Sequence, residues 1–190
     1  MRLLATFLLF ALAGSAGAAA APVPQEAANP EMLHLFTEDQ ADRKDGLRID
    51  WNAVRPRDEA RRAATRKLLA DGALHTGQDY VEAAFIFQHG STENDYLLAH
   101  TLAMVAAAKG DPGALWIAAA TLDRYLETIG KPQIYGTQYS VARPSKTWTQ
   151  DPYARDLISD ALRKELGVPT LAEQARKLSE MPALPAAPPK

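Results

Sequence analysis

The sequence predicts an all-α protein, either a single helical bundle or an array of helical hairpins, with about six to seven helices. Two observations lead to this prediction. Apolar residues recur at helical spacing through residues 31–180, and glycines and capping residues separate these stretches. The segment 131–150 is the exception, because it is rich in Thr, Tyr and Gln and contains two prolines. We expect an irregular loop or a short β-hairpin there.

Residues 1–20 are predicted to be a signal peptide. A basic residue at position 2 precedes the uncharged apolar run Leu3–Ala13, and small residues that suit cleavage follow that run. The run is shorter than the roughly 20 apolar residues needed to span a membrane. We therefore expect an exported protein that acts in the periplasm or outside the cell.

The rest of the chain divides into three predicted parts. Residues 21–30 are rich in Ala and Pro and are expected to form a flexible leader. Residues 31–180 are expected to form the helical domain, which is long enough to bury a substantial core. Residues 181–190 are rich in Pro and are expected to form a disordered tail.

Composition and charge exclude several classes of protein. The chain has no cysteine, which rules out a disulfide framework and thiolate chemistry. Once Arg2 is removed from the 21 basic residues, 20 remain against 23 acidic ones, so no nucleic-acid partner is expected. The longest later apolar stretch, 97–108, is interrupted by His100 and Thr101, so we expect no membrane span in the mature chain.

The first three predicted helices are delimited by glycines and by one clear cap. The first covers about residues 32–44 and the second about residues 57–71. The third starts after Thr76, a good N-cap, and ends at Gly90. The second helix carries many charged residues between its apolar ones, which predicts a surface position.

The remaining predicted helices also carry capping signals. The fourth starts at Ser91 or Thr92, and the fifth opens with Asp111 as its N-cap and Pro112 at its first position. The sixth covers about residues 153–166. The seventh begins with the capping box Thr170-x-x-Glu and reaches about position 179.

A repeat architecture is an open alternative to a simple bundle. The G-D-x-x-A-L string around Gly110 is similar to tetratricopeptide-type repeats. The offset from Gly72 to Gly110 is 38 residues, whereas that repeat has a period near 34. The helix punctuation suits an ordinary bundle equally well.

Polar side chains interrupt the apolar face at the end of the third helix. Gln88 continues the stripe of Val81 and Ala84, and a buried amide needs partners for its donors and its acceptor. His89 lies in the last turn, where the helix dipole alone would favour a cation. A structural and a functional role are both open for His89.

Polar residues also occur in the fifth helix and in the loop that follows it. Asp123 and Arg124 are neighbours, and a carboxylate there is either solvated or paired with a cation. Gln133, Tyr135 and Gln138 crowd around a glycine that allows a tight turn or close approach to a ligand. A well-bonded turn and a binding loop both fit this pattern.

No established catalytic motif is present in the sequence. His89, Asp95 and His100 are metal-ligating residue types, but their spacing does not place all three on one helix face. His100 has the simpler interpretation of a hydrogen-bonded core residue. The sequence therefore predicts no metal site, and the cofactor is unknown.

Several motifs follow one another in a fixed order. They are Asp39-Gln40-x-x-Arg43, Ala84-x-x-x-Gln88-His89, Asp95, Asp123-Arg124 and Gly130-x-Pro-Gln-x-Tyr-Gly-Thr-Gln138. In order and spacing they resemble a bacterial family known as domain of unknown function 6624, over about residues 38–138. The last string is the most specific. The chain departs from the family in its Ala-rich fourth and fifth helices and at Gly90.

The resemblance implies no activity, but it implies that seven residues belong together. These are Gln88, His89, Asp123, Arg124, Gln133, Tyr135 and Gln138. Buried polar groups must also satisfy one another. We therefore expect the end of the third helix, the Asp123-Arg124 turn and the 133–138 loop to converge in one concave site.

Two functions are open for such a site. The first hypothesis is a binding module in which Arg124 grips a carboxylate, Tyr135 and Trp148 provide stacking surface, and the amides set orientation. The alternative is a periplasmic hydrolase in which His89 is the general acid or base, supported by Asp123 and Arg124. In both cases the expected partner is a small molecule or a component of the cell envelope.

Overall fold

The computed structural model describes residues 26–142, 145 and 147–182. Over these residues the chain forms seven α-helices and one two-stranded antiparallel sheet. The predicted all-α bundle is therefore confirmed, as is the short hairpin within 131–150. The predicted signal peptide, half of the predicted leader and most of the predicted tail lie outside the described residues.

The elements follow the chain in a simple order. The helices are α1 (Pro30–Ala41), α2 (Trp51–Ala70), α3 (Gly77–Gln88), α4 (Glu93–Ala108), α5 (Ala114–Thr128), α6 (Asp160–Glu165) and α7 (Leu171–Glu180). The strands are β1 (Ser140–Val141) and β2 (Trp148–Thr149), and a 3-10 turn at Gly46–Arg48 precedes α2.

Most helix starts carry the caps that the sequence predicts. Thr76 forms a reciprocal capping box with Asp79 at the start of α3, and Thr170 does the same with Glu173 at the start of α7. The Thr92 side chain accepts a hydrogen bond from the first turn of α4. These caps satisfy backbone N–H groups that have no partner inside the helix.

Two predicted helix starts are too late. α1 begins at Pro30, because the Asn29 side chain accepts hydrogen bonds from the backbone N–H groups of the first turn. α2 begins at Trp51 rather than near position 57, because Asp50 caps it in the same way. Pro56 then lies inside α2, in its second turn.

Two other predictions are wrong near the fifth and sixth helices. α5 begins at Ala114 with Gly113 as its N-cap, while the Asp111 side chain only accepts a hydrogen bond from the Gly113 N–H. The sixth helix is much shorter than predicted. Tyr153 forms a parallel bridge with Gln133 instead of helix, because the chain there pairs with the loop that follows α5.

The core lies where α3, α4 and α5 pack together. α1 packs on α3, and α2 packs on both α1 and α3. Many interface residues are alanines, whose small side chains allow the helix axes to approach closely. The core residues are Met32, Leu68, Leu74, Ala83, Ala84, Ile86, Phe87, Ala99, Leu102, Ala103, Ile117 and Ala118. Within the described ranges, no helix has the length and apolar character needed to cross a membrane.

Candidate functional site

A cavity of about 770 Å³ opens between the start of α2, the end of α3 and the middle of α5. Most of its lining residues have polar side chains, and four of them are arginines. The lining residues are Arg43, Ile49, Trp51, Arg55, Pro56, Asp58, Glu59, Arg62, Gln88, His89, Gly90, Ser91, Tyr96 and Arg124. The cavity therefore contains Gln88, His89 and Arg124, three of the residues that the sequence singles out.

His89 ends α3 and pairs with a buried carboxylate from α1. Its Nδ1 lies 3.0 Å from Asp39 Oδ1, and Asp39 is only 1% exposed. Because a carboxylate can only accept, Nδ1 carries the proton and donates it, which leaves Nε2 as the basic nitrogen. Nε2 has no hydrogen-bond partner among the described residues. The ring therefore presents a base to the cavity that it lines.

The surroundings of His89 favour its neutral form. Burial lowers the pKa of His89, and the hydrogen bond and charge of Asp39 oppose this shift without cancelling it. The nearby charges of Arg43 and Arg124 lower the pKa further. At neutral pH the imidazole is therefore uncharged and able to accept a proton.

A chain of ion pairs between α1 and α2 holds Asp39 in place. Arg43 lies 2.9 Å from Asp39 Oδ1 and donates to Asp58 Oδ2 at 2.7 Å. Arg61 donates to Asp58 Oδ1 at 2.8 Å and to Asp42 Oδ2 at 2.7 Å. Gln40 donates from its side-chain amide to Asp39 Oδ2 at 2.9 Å. Asp39 thus sits in a rigid polar network.

The turn after α3 fixes the backbone of His89. Arg62 donates to the His89 carbonyl at 3.0 Å, and the Tyr96 hydroxyl donates to the Gly90 carbonyl at 2.9 Å. A Cβ at position 90 would lie 2.3 Å from the Cβ of Asp95. Gly90 is therefore required sterically, because the buried Asp95 packs directly against this turn.

Arg124 is a cation without a partner. Its guanidinium lines the cavity, and it makes no hydrogen bond or ion pair in the part of the chain that the structure describes. Its Nε is buried and unsatisfied. Burial lowers the pKa of Arg124, yet an arginine side chain stays protonated in a protein. Arg124 as a whole is partly buried, and the charge of Glu127, one turn further along α5, acts on it without forming an ion pair among the described residues.

Asp123 lies beside Arg124 in sequence but serves the loop after α5. Its fully buried carboxylate accepts hydrogen bonds from the backbone of Ile134, Tyr135 and Thr137 and from the Thr137 hydroxyl, at 2.8–3.0 Å. Neighbouring residues on an α-helix project about 100° apart. The two side chains therefore reach different surroundings.

The amides of the 133–138 loop are also used within the fold. Gln133 donates to the carbonyls of Gln138 and Gln150, and it accepts from the Gln138 N–H at 3.0 Å. Gln138 donates to the Ala120 carbonyl at 3.1 Å. The Tyr135 carbonyl accepts three hydrogen bonds, from Tyr153, Arg163 and Gln174.

The seven residues expected in one site therefore fall into two groups. Gln88, His89 and Arg124 line the cavity. The other four, Asp123, Gln133, Tyr135 and Gln138, hold the loop after α5 and are not part of the cavity lining. The physical reason is that the loop backbone and the Thr137 hydroxyl satisfy the Asp123 carboxylate, while the side-chain amides of Gln133 and Gln138 donate to backbone carbonyls.

Several residues in or next to the cavity are not among the seven residues that the sequence groups together; Asp39 lies behind His89, and Arg43, Trp51 and Arg62 line the cavity. Asp39 and Arg43 occur in the motif Asp-Gln-x-x-Arg, where the i, i+4 spacing already indicates an ion pair on one helix face. Trp51 and Arg62 carry no such local signal. They reach the cavity only because α2 begins earlier than predicted and packs against the end of α3.

The residues considered as metal ligands have other roles. Asp95 pairs with Arg66, and His100 Nδ1 lies 2.9 Å from the Ala118 carbonyl, as expected for a hydrogen-bonded helix residue. Among the residues that the structure describes, no three His, Asp or Glu side chains form a group able to hold a metal ion.

Comparison with known proteins identifies no relative of this chain. No protein-family model, no curated protein and no solved structure matches this chain. The resemblance to domain of unknown function 6624 therefore stays a prediction, and the function must be argued from the site alone.

Proposed function

We propose that the cavity between α2, α3 and α5 binds a small anionic ligand, with Arg124 making the main contact. The observation that carries this proposal is the unpaired guanidinium of Arg124. The side chain is partly buried and forms no ion pair among the described residues, and an incoming carboxylate or phosphate can form two parallel hydrogen bonds with its guanidinium. An anion would thus complete the coordination of Arg124.

The charge around Arg124 supports the same proposal. The lining contains four arginines and only two carboxylates, from Asp58 and Glu59. Asp58 pairs with Arg43 and Arg61, and Arg62 lies 4.0 Å from Asp95, so among the charged lining residues Arg55 and Arg124 remain against Glu59. A cavity with this imbalance attracts anions and raises their local concentration. Residues 1–20 predict that the protein is exported, and we propose that it binds the anion after export.

The proposal is tested by thermal unfolding of the purified protein with inorganic phosphate or propionate. We expect the midpoint to rise with ligand concentration, since a ligand at 100 times its Kd adds about 2.7 kcal/mol. Arg124→Gln should remove the effect. The control is Arg176→Gln, which alters an exposed arginine of α7 and should leave it intact. Equal midpoint shifts in both variants would contradict the proposal.

A second candidate function is an acid–base enzyme that acts on the bound anion. The observation that favours it is the pairing of His89 with the buried Asp39 at the wall of the cavity. In this proposal Nε2 of His89 takes a proton from water or from the ligand, and Asp39 positions the ring and stabilises the imidazolium. The residue that orients His89 is thus Asp39 and not Asp123.

The enzyme is tested by a hydrolase screen of the wild-type protein on carboxylate and phosphate esters. His89→Gln should abolish turnover, and Asp39→Asn should lower kcat while changing KM little, because it misorients the base. Both variants should still show Arg124-dependent binding of phosphate. If the variants keep full turnover, the activity does not come from this dyad.

A further inference from the structure

The lining of the cavity contains both apolar and charged side chains. Ile49, Trp51 and Pro56 are apolar and come from the chain just before α2 and from its first two turns. His89 and Arg124 come from the end of α3 and from α5. α2 also contributes the charged lining residues Arg55, Asp58, Glu59 and Arg62, so a ligand that fills the cavity meets the apolar surface of Ile49, Trp51 and Pro56 beside charged groups.

Trp51 dominates the apolar part. Its side chain is 48% exposed, although a tryptophan usually buries most of its large surface. Its position is fixed, because Asp50 caps α2 and Trp51 is the first residue of that helix. The indole thus projects from a capped helix end, lines the cavity and keeps about half of the residue's surface exposed.

The volume of the cavity exceeds what a simple anion needs. At about 770 Å³ it falls within the range of sites for small organic molecules, which is roughly 300–1,000 Å³. A single carboxylate or phosphate group bound to Arg124 would leave most of this space to water. The apolar surface of Ile49 and Trp51 would then remain in contact with water.

We infer that the ligand is an amphipathic anion, with a carboxylate or phosphate group on Arg124 and an apolar, ring-containing body against Trp51. This inference rests on the proposed function, because the anionic group must be held by Arg124. Burial of the ring against the indole removes apolar surface from water and adds stacking contact. Both effects supply affinity that a simple anion cannot obtain.

Three matched probes separate the two contributions. 3-Phenylpropionate carries both the ring and the carboxylate, propionate carries only the carboxylate, and 3-phenylpropanol carries only the ring. By isothermal titration of the full chain, we expect 3-phenylpropionate to bind at least about 10-fold more tightly than either of the other two. Phenyl phosphate compared with inorganic phosphate provides the same test for a phosphate group.

Variants at the tryptophans localise the effect. Trp51→Ala should weaken binding of 3-phenylpropionate by about 10-fold and leave propionate binding unchanged, while Trp51→Phe should largely restore it. The control is Trp116→Ala, because Trp116 is 39% exposed on α5 but does not line the cavity. This control should bind 3-phenylpropionate as the wild type does.

The outcomes distinguish the inference from the proposed function. If propionate and 3-phenylpropionate bind equally well and both need Arg124, the amphipathic ligand is wrong and the anion site stands. If Trp51→Ala and Trp116→Ala have the same effect, the inference is also overturned. If no anion depends on Arg124, both proposals fail.

Discussion

Asp123 and Arg124 are adjacent in the chain but differ in what they do for the fold. The Asp123 carboxylate has four hydrogen-bond donors around it, whereas the Arg124 guanidinium has no partner within the described residues. Polar groups that stabilise a fold have their hydrogen-bond partners within it, whereas polar groups that bind a ligand lack partners until the ligand is bound. The contrast separates a structural residue from a binding residue at neighbouring positions.

We expect different results from changes at these two positions. Asp123→Asn should lower the free energy of unfolding by about 3 kcal/mol, since its amide NH₂ faces N–H donors that need an acceptor. Arg124→Gln should leave the ligand-free protein about as stable as the wild type, because the Arg124 side chain makes no hydrogen bond or ion pair in the part of the chain that the structure describes. Urea unfolding measures both. A large loss of stability in Arg124→Gln would show that Arg124 is structural.

His89 gives a second residue-scale prediction, on its titration. Burial lowers the pKa of His89 below its usual value of 6.5, and Asp39 limits that decrease. In Asp39→Asn we therefore expect the pKa to fall further. NMR of the imidazole nitrogens over a pH series measures both values. A higher pKa in the variant would contradict the account of this pair.

The same shift has a consequence for stability. As the pH falls below 6.5, the unfolded chain takes up a proton at this position that the folded chain resists, so His89 makes the folded state less stable in mild acid. His89→Gln should remove this part of the pH dependence. Unfolding free energies at pH 7.5 and pH 5.5 for both proteins provide the comparison.

At the scale of elements, the 133–138 loop after α5 packs closely against the C-terminal part of the fold. Gly136 has a φ of +77°, and a Cβ there would lie 2.2 Å from Gln174 Oε1 and 2.6 Å from Tyr153 Cζ. The loop backbone thus packs directly against the side chains of Gln174 in α7 and of Tyr153. This close contact is the reason that the loop needs a glycine at its centre.

Two glycine variants separate backbone strain from steric overlap. Gly130 has a similar φ of +71° but no atom near the position of an added Cβ. We expect Gly130→Ala to cost about 1 kcal/mol, the penalty of left-handed backbone, and Gly136→Ala about 3–4 kcal/mol. Thermal unfolding of both variants tests this. Equal losses would show that the packing around Gly136 is looser than described.

The ion pairs between α1 and α2 make a prediction for acid stability. Two hydrogen bonds from Arg57 hold the pKa of Asp42 at about 2, despite an opposing effect of burial, and Arg61 adds to the shift. Since this pKa is lowered, the stabilisation is fully present above the ordinary aspartate pKa of 3.8 and is lost as the pH falls toward 2.

Asp42→Asn should therefore be less stable than the wild type at pH 7, by about 1 kcal/mol for a partly exposed pair. The difference should shrink as the pH falls from 4 to 2, because the wild-type carboxyl then becomes neutral as well. Urea unfolding at several pH values measures the difference. A gap that stays constant down to pH 2 would show that the charge of Asp42 does not matter.

At the scale of the whole molecule, local signals predicted more than long-range ones did. The starts of α3, α4 and α7 follow from caps within four residues of each helix, so the sequence alone locates them. The start of α6 was misplaced, because residue 153 pairs with residue 133 and no local pattern shows such pairing. The two-stranded sheet was expected only as one of two alternatives.

In the candidate site, too, local features could be predicted from the sequence, whereas long-range contacts could not. Gln88, His89 and Arg124 attract attention because they are polar in apolar helices, and the structure places all three at one cavity. Asp39 lies 50 residues before His89, so their pairing depends on how α1 packs against α3. The separation of Asp123 from Arg124 depends on which side of α5 the loop covers, and spacing in the sequence cannot show that.

The proposal that Arg124 binds an anion is tested most directly by the NMR signal of the side-chain N–H group of this residue. The Nε–Hε resonance, assigned by its loss in Arg124→Gln, is followed in ¹H–¹⁵N spectra during titration with 3-phenylpropionate and with inorganic phosphate. We expect the Nε–Hε resonance to shift to lower field in a saturable way as a hydrogen bond to the anion forms. A resonance that stays in place while the anions bind elsewhere would contradict it.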